Sequence, residues 1–448
     1  MFNRVLIANR GEVALRIIKA CRALNVETVA VYSEADADSP HLAEADRVVC
    51  IGPGQSGQSY LNREALLQAA LNCDVQALHP GFGFLAEDHL FAYSCTQQKL
   101  SFIGPSSESI RLMGDKSLAK STVKVAGLPT IPGSEGNLSS LPEALDLAQS
   151  IGYPVLLKAT AGGGGKGIRI CRDRKDLEAL YPQARLEAEK AFGNPMLYLE
   201  KLIAPARHIE FQILADSYGR AVHLGERECS IQRKNQKLIE ESPSPAISPE
   251  VRLTMGERVC RAAETMGYQN AGTVEFLLGE DGQLYFMEMN TRLQVEHPVT
   301  EMVSGRDIVQ EQIRIAANHP LSFTQDEVRF TGHAIECRIK AEDPDKDFIP
   351  TPGEITRFEP VTDQGPGRVR LDTHVRKGYH IPVYYDSMIC KIISHGEDRE
   401  SAIETMVRAL EKFRVEGIKT TIPLHLEILK SSPFRKGEYD TATLGTLR

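Results

Sequence analysis

Short apolar runs alternate with helical patterns through residues 1–112, and this alternation restricts the fold more than any other feature of the chain. The runs are 4–8, 28–32, 47–51, 75–79 and 101–104. Between the first two, Val13, Ile17, Cys21 and Leu24 share one helical face, with Arg16, Lys19 and Arg22 off it. Strand–helix–strand repetition implies a parallel sheet with helices packed on it. The turn Asn9-Arg10-Gly11 lacks the Gly-x-Gly-x-x-Gly fingerprint, so dinucleotide binding at this end is not expected.

The remaining chain is organised differently. Residues 127–142 are rich in Gly, Pro and Ser and read as a linker or hinge. A small unit follows, with strand 154–158, a glycine loop, strand 168–171, a helix near 175–190 and strand 196–200. Residues 204–330 read as α+β, and the last segment is mixed, with turns at 350–353 and 365–367. The 448 residues suit about three domains of ~150 residues, expected at 1–112, 113–330 and 331–448. The fold class is therefore α/β and α+β.

Composition narrows the partners. Lys and Arg number 52 against 60 Asp and Glu, a net charge of −8. That balance argues against a nucleic-acid binder, though local charge can oppose net charge. Nine cysteines without a Cys-x-x-Cys pair support neither a zinc site nor a disulfide framework. A reducing cytoplasm is expected. No charged leader precedes the first strand, and no run approaches the ~20 apolar residues that span a bilayer.

The strongest local signal is Ala161-Gly162-Gly163-Gly164-Gly165-Lys166-Gly167. A dinucleotide loop requires a helix straight after it, but Ile168-Arg169-Ile170-Cys171 is strand-like. The P-loop pattern fails because Ile168 stands where Lys-Ser/Thr should be completed. Two readings remain, a phosphate-holding loop between strands and a plain surface hairpin. Lys158 closes the strand before the loop, and Lys116 lies upstream. Two lysines aimed at a polyphosphate make chemical sense.

A second signal is a hairpin. Two apolar runs, 274–278 and 284–288, flank Gly279-Glu280-Asp281-Gly282. With Asp281-Gly282 as the turn centre, Glu280 pairs with Gln283 and Glu275 faces Glu288. Facing like charges are unfavourable unless neutralised. Asn290 shares the face of Glu288. Glu275, Glu288 and Asn290 thus suit Mg²⁺, unless both glutamates simply face solvent. Just beyond, Arg292, Gln294 and Glu296 alternate at strand period. They form either a small-anion site with a base or a polar strand face.

Together these residues resemble an ATP-grasp enzyme, and longer strings narrow the resemblance to biotin carboxylase. The strings are Ile7-Ala8-Asn9-Arg10-Gly11-Glu12, His79-Pro80-Gly81-Phe82-Gly83-Phe84-Leu85, Arg111-Leu112-Met113-Gly114-Asp115-Lys116, the segment 288–302, Glu336-Cys337-Arg338-Ile339 and Tyr384-Tyr385-Asp386-Ser387-Met388. The resemblance implies a Rossmann-like pre-ATP-grasp domain, an ATP-grasp domain with a mobile glycine-loop lid near 132–203, and a mixed α+β C-terminal domain. It implies that Lys116, Lys158, Gly162, Gly163, Gly164, Gly165 and Gly167 hold ATP phosphates. Glu200, Lys201 and Leu202 would lie against adenine and His208 and Gln232 near ribose, with Asn235 and Leu277 in the same nucleotide site. Glu275, Glu288 and Asn290 would carry Mg²⁺ or Mn²⁺. Lys237, Arg292, Gln294, Val295 and Glu296 would surround bicarbonate, with Glu296 as general base. Arg338, Phe82 and Gly83 would meet biotin. Lys237, Arg292, Glu296 and Arg338 would form the catalytic set.

Two residues depart from the family pattern. Asn235 stands where His is common, and Phe82 replaces a common Tyr. The chain holds no Met-Lys-Met biotinylation motif. A separate biotin carboxyl carrier protein is therefore the expected substrate, with carboxyltransferase subunits of an acetyl-CoA carboxylase as partners and a homodimer as the assembly. Two other classes stay open: an ATP-grasp ligase for another carboxylate, and a non-catalytic nucleotide-binding partner.

Overall fold

The N-terminal alternation builds a five-stranded, all-parallel sheet. Its strands are β1 (Arg4–Ile7), β2 (Glu27–Tyr32), β3 (Arg47–Cys50), β4 (Ala77–His79) and β5 (Ser101–Phe102), in the order β3-β2-β1-β4-β5. The computed structural model describes residues 1–160, 167–361 and 367–447, the side chains of Lys116 and Ser117 excepted. The expected turn at 365–367 thus lies mostly outside the described residues. Helix Gly11–Ala23 packs as its spacing predicts, except at Arg16. That residue is buried, and its guanidinium pairs with Glu301 at 2.8 Å and Asp307 at 2.6 Å. The helix is covered on a second side by helix Ile308–Ala316, so its polar stripe is not all solvated.

The small unit forms as expected: β6 (Val155–Ala159), β7 (Ile168–Cys171) and β8 (Leu197–Lys201), in the order β7-β6-β8. Helices Leu141–Ile151 and Arg174–Phe192 bury their apolar faces against it. Residues 127–142 are more than a linker. Phe286 N–H donates to Pro129 O at 2.7 Å, and Lys201 N–H to Pro132 O at 2.8 Å. The segment straps the small unit to the central sheet. Gly133 permits this, because a Cβ there would lie 2.3 Å from the Leu199 carbonyl oxygen.

The central sheet is antiparallel and eight-stranded. It comprises β9 (Ala206–Ala215), β10 (Ala221–Arg233), β11 (Gln236–Ser242), β12 (Asn270–Gly279), β13 (Leu284–Asn290), β14 (His333–Lys340), β18 (Arg368–Thr373) and β19 (Met388–Gly396). The order is β13-β12-β9-β10-β11-β14-β19-β18. Two small ladders complete the C-terminal part: β15 (Glu342–Asp343) with β16 (Ile349–Pro350), and β17 (Arg357–Glu359) with β20 (Arg414–Glu416). The sheet crosses residue 330 without a break, since β11 pairs with β14.

The β12–β13 turn differs from the expected one, yet the key pairing survives. The loop takes three residues, 280–282, with Gly282 at φ +74° and Gly279 N–H donating to Gln283 O at 3.0 Å. Leu278 therefore faces Leu284, and Phe276 faces Phe286. A bulge at Met287 then returns Glu275 to its place opposite Glu288. Two one-residue displacements cancel.

Below Glu275, Phe276 is fully buried in edge-to-face contact with Phe211 and Phe286, centroids 5.9 and 6.4 Å apart. Phe276→Ala is expected to cost about 3–5 kcal/mol by cavity formation, read from the urea unfolding midpoint. A cost under ~1 kcal/mol would mean that the sheet closes over the gap.

Candidate active site

A cleft of about 1190 Å³ opens where the N-terminal sheet, the small unit and the central sheet meet. Its floor is the central sheet. Along β9, His208, Glu210 and Gln212 alternate with apolar Ile209, Phe211 and Ile213, so the polar set shares one face. All three are buried. They need partners, because a buried charge without one is expensive.

The main partner is Lys237 of β11. Its ammonium lies 2.6 Å from Glu210, 2.9 Å from Glu275 and 2.6 Å from Glu296. Burial pulls the lysine down, but these carboxylates outweigh it and hold the ammonium well above its usual range. Burial likewise pushes Glu275 up, and Lys237 with His208 reverses this to well below the usual value. Glu296 is held well below it by Lys237, Arg338 and Arg227, again against burial. Glu210 goes the other way, raised by burial and by the Glu296 charge. Arg227, fully buried behind it, donates to Glu210 at 2.5 Å and to Gln212 at 2.9 Å.

Residues 291–296 do not form a strand, contrary to their alternation. They run as an irregular segment into helix His297–Ser304, whose first turn begins beside Glu296. The side chains converge all the same. Arg292 donates to Gln294 at 2.6 Å, and Gln294 donates to Glu275 at 3.0 Å. Glu296 receives Arg338 at 2.9 Å. Arg338 also binds Glu240 at 2.6 Å, and burial raises that carboxyl to about 7 despite the guanidinium. Val295 lines the cleft between them.

The other end of the cleft is more apolar, walled by Leu156, Ile168, Tyr198, Leu202, Ile203, Leu277 and Met287. Glu200 sits at its edge between Lys158 at 2.6 Å and Lys120 at 3.0 Å. Burial raises Glu200, and the two lysines overcome that and hold it below the usual range. Gln232 and His208 line the cleft nearby. Asn235 does too, at φ +66° in a two-residue β10–β11 turn whose other member, Lys234, has φ +47°. Asn tolerates that left-handed backbone better than most residues.

Some expected residues lie elsewhere. Lys201 turns away and donates to the carbonyls of Gly152 and Tyr153 at 2.9 and 3.1 Å, so only its neighbours line the cleft. Gly167 is also outside the wall, and packing explains it: at φ +75°, a Cβ would lie 2.9 Å from Ala159. Gly162, Gly163, Gly164, Gly165 and the Lys116 side chain lie outside the described residues.

Phe82 and Gly83 form the mouth on the N-terminal side. Their loop is strained, with Gly81, Gly83 and even Phe84 at positive φ. Buried Asn9 holds it, donating through Nδ2 to Pro80 O at 2.6 Å and Phe82 O at 2.7 Å.

The family model for the biotin carboxylase N-terminal domain matches residues 1–110. That for the carbamoyl-phosphate synthase L chain ATP-binding domain matches 115–324. That for the biotin carboxylase C-terminal domain matches 336–446. Biotin carboxylase 1 of Bacillus subtilis is 53% identical over 447 residues, covering 100% of this chain and 99% of the relative. The chain belongs to the biotin carboxylase family. It is an ATP-grasp ligase by that membership. Among solved biotin carboxylases, the β,γ-ATP complex from Campylobacter jejuni superposes with a TM-score of 0.94 at 46% identity, covering 100% of this chain and 99% of that one. The biotin carboxylase domain dimer of Hydrogenobacter thermophilus 2-oxoglutarate carboxylase, solved with MgADP, ADP and bicarbonate, superposes at 0.93 with 50% identity, covering 100% and 98%.

Sequence reasoning missed Lys120, Glu210, Arg227, Glu240 and Asn9. Lys120 follows Lys116 by one helical turn in helix Lys116–Val125, a spacing that puts both on one face. Glu210 was signalled by the alternation through β9. Arg227, Glu240 and Asn9 carry no local signal.

Lys237→Met removes the shared cation, so burial is less opposed at Glu210, Glu275 and Glu296 and each carboxyl rises, Glu210 from a value already above its usual range. A group whose folded pKa lies above its unfolded value stabilises below the unfolded value and loses that benefit as pH rises through the folded one. The variant is expected to melt further below the wild type at about pH 8 than at about pH 5. Thermal unfolding at both values checks this, and an equal deficit would deny Lys237 its neutralising role.

Proposed function

We propose that the protein carboxylates biotin on a separate biotin carboxyl carrier protein, using ATP, Mg²⁺ and bicarbonate. The observation that carries the reading is Glu296, a buried carboxylate gripped by Lys237 at 2.6 Å and Arg338 at 2.9 Å at one end of a cleft whose other end is apolar. The apolar end suits a purine ring. Lys120 and Lys158 stand beside it for phosphate oxygens, with Lys116 and the glycine loop in the same role. Lys237, Arg292 and Gln294 offer donors to a small anion such as bicarbonate.

The donor set fits the metal. Glu275 and Glu288 face each other across β12 and β13, with Asn290 next along. These are hard oxygen ligands of the kind Mg²⁺ takes. When bound, the ion supplies charge neutralisation to phosphate oxygens. His208, Glu210 and Glu275 also bring ligand atoms within 4.8 Å of one another, but Glu210 is already paired with two cations, Lys237 and Arg227.

The chemistry runs from these residues. Glu296 takes the bicarbonate proton, and a bicarbonate oxygen attacks the γ-phosphorus of ATP. The bond to the β–γ bridging oxygen breaks, leaving ADP and carboxyphosphate. Carboxyphosphate splits to CO₂ and phosphate, and the phosphate takes the N1 proton of biotin. Arg338 stabilises the negative ureido oxygen, and N1 attacks CO₂. In the substrate-free arrangement Glu296 is held too tightly to be a strong base. An anion that draws Lys237 away restores its basicity.

The units that serve this reading are 1–112, 113–330 and 331–448, with 132–203 as the lid, in a homodimer. Free cysteines and the absence, among the described residues, of a helix long and apolar enough to cross a membrane are consistent with a cytoplasmic setting. The default partners are the carboxyltransferase subunits of acetyl-CoA carboxylase. A second acceptor is favoured by one relative, the 2-oxoglutarate carboxylase small subunit of Hydrogenobacter thermophilus, 50% identical over 99% of this chain. Identifying the biotinylated protein and transferase that co-purify from the native cell separates the two.

ADP release with bicarbonate, Mg²⁺ and free biotin tests the core reading. Biotin-stimulated turnover supports it. Turnover only with another acid points to a different ligase, and ATP binding without turnover to a non-catalytic partner. Glu296→Ala and Arg338→Ala are each expected to lose carboxylation by about 10²–10⁴-fold while still binding ATP. Loss of ATP binding in both would overturn the assignment of roles.

A further inference from the structure

Arg338 has a second cation directly opposite it. Lys391 of β19 pairs with Arg338 of β14 in register, so both side chains leave the sheet on one face. Like charges placed directly opposite are destabilising, and Lys391 is fully buried as well. Something must repay this arrangement. Lys391 is not in the cleft wall. Its ammonium donates to the Val295 carbonyl at 2.8 Å and lies 3.1 Å from Glu12 of helix Gly11–Ala23. It also stands 5.8 Å from the centre of the Phe82 ring. The neighbouring cations thus hold neighbouring residues: Arg338 takes the Glu296 carboxylate, and Lys391 takes the Val295 backbone. Because 291–296 is irregular, no strand ladder fixes it at that point.

We propose that Lys391 is a positioning residue: anchored by Glu12, it pins the Val295 carbonyl and thereby sets the place of the Glu296 carboxylate. The inference rests on the reading that Glu296 acts on bicarbonate. It names a role that a purely structural account does not. In that account Lys391 only neutralises the acids around it: Glu12, a carboxyl that burial itself raises, with Glu336 and Asp372.

A double variant separates the two. Lys391→Met alone leaves Glu12 buried without its cation and is expected to melt well below the wild type. Glu12→Gln with Lys391→Met removes both charges and is expected to recover most of that loss. If Lys391 positions Glu296, the double variant binds ATP within about twofold of the wild type yet loses ~10- to 100-fold in kcat/KM for bicarbonate. A double variant with bicarbonate kinetics within about twofold of the wild type would overturn the positioning role. So would a double variant as unstable as Lys391→Met, since the lysine would then be holding the fold and not the base. Wild-type enzyme without bicarbonate-dependent turnover would overturn the underlying reading, and this inference with it.

Discussion

The Lys237 ammonium is shared by carboxylates from three separate places: Glu210 on β9, Glu275 on β12 and Glu296 before helix His297–Ser304. Each of these acids is almost wholly shielded from water. At such separations their mutual repulsion is severe in a medium less polarisable than water. They can be neighbours because one cation touches all of them. Arg227 performs a similar service from behind, in contact with Glu210, Gln212 and Thr300. The floor of the cleft is thus a lattice of alternating charge, and its members depend on one another. Replacing one acid or one base leaves an uncompensated neighbour.

The same lattice explains how a site for anions exists in a chain of net charge −8. Its cations already have carboxylate partners: Glu200 occupies Lys120 and Lys158, and Glu296 occupies Lys237 and Arg338. Among the described residues, an incoming anion would exchange partners with these acids. Such an exchange would favour ligands able to engage several cations together, as a polyphosphate beside a small oxyanion would.

How far this was legible depended on the range of the interaction. The parallel sheet, the small unit and the β12–β13 hairpin follow from local period and turn residues, and their elements fall within a few residues of expectation. The facing of Glu275 and Glu288 was read correctly through a turn that is one residue longer than expected, because the bulge at Met287 cancels the difference. The strand expected at 291–296 was misread because alternation alone does not guarantee a pairing partner. Here Glu296 is held by Lys237 and Arg338, Gln294 by Glu275 and Arg292 by Glu87, not by a ladder. Arg16 was misread for a related reason: local period cannot reveal a second helix packed from 291 residues away, as the pairing of Arg16 with Asp307, the N-cap of helix Ile308–Ala316, does. The roles of Lys120 and Glu210 were within reach of helix and strand period, whereas Asn9 holds a loop more than seventy residues away and Arg227 reaches beyond its hairpin to Thr273 and Thr300.

The continuity of the central sheet has a consequence for the order of assembly on the ribosome. Strand β11 finds β10 within a few residues, but its other neighbour, β14, emerges about ninety residues later, and β19 later still. Until then the growing chain carries an open edge, with Glu240 and Glu241 lacking Arg338, His333 and Arg399. Exposed edges invite pairing with other chains, and two unpaired acids on the edge discourage it. The charges that later lock the sheet together would first have kept its unfinished border from finding the wrong neighbour.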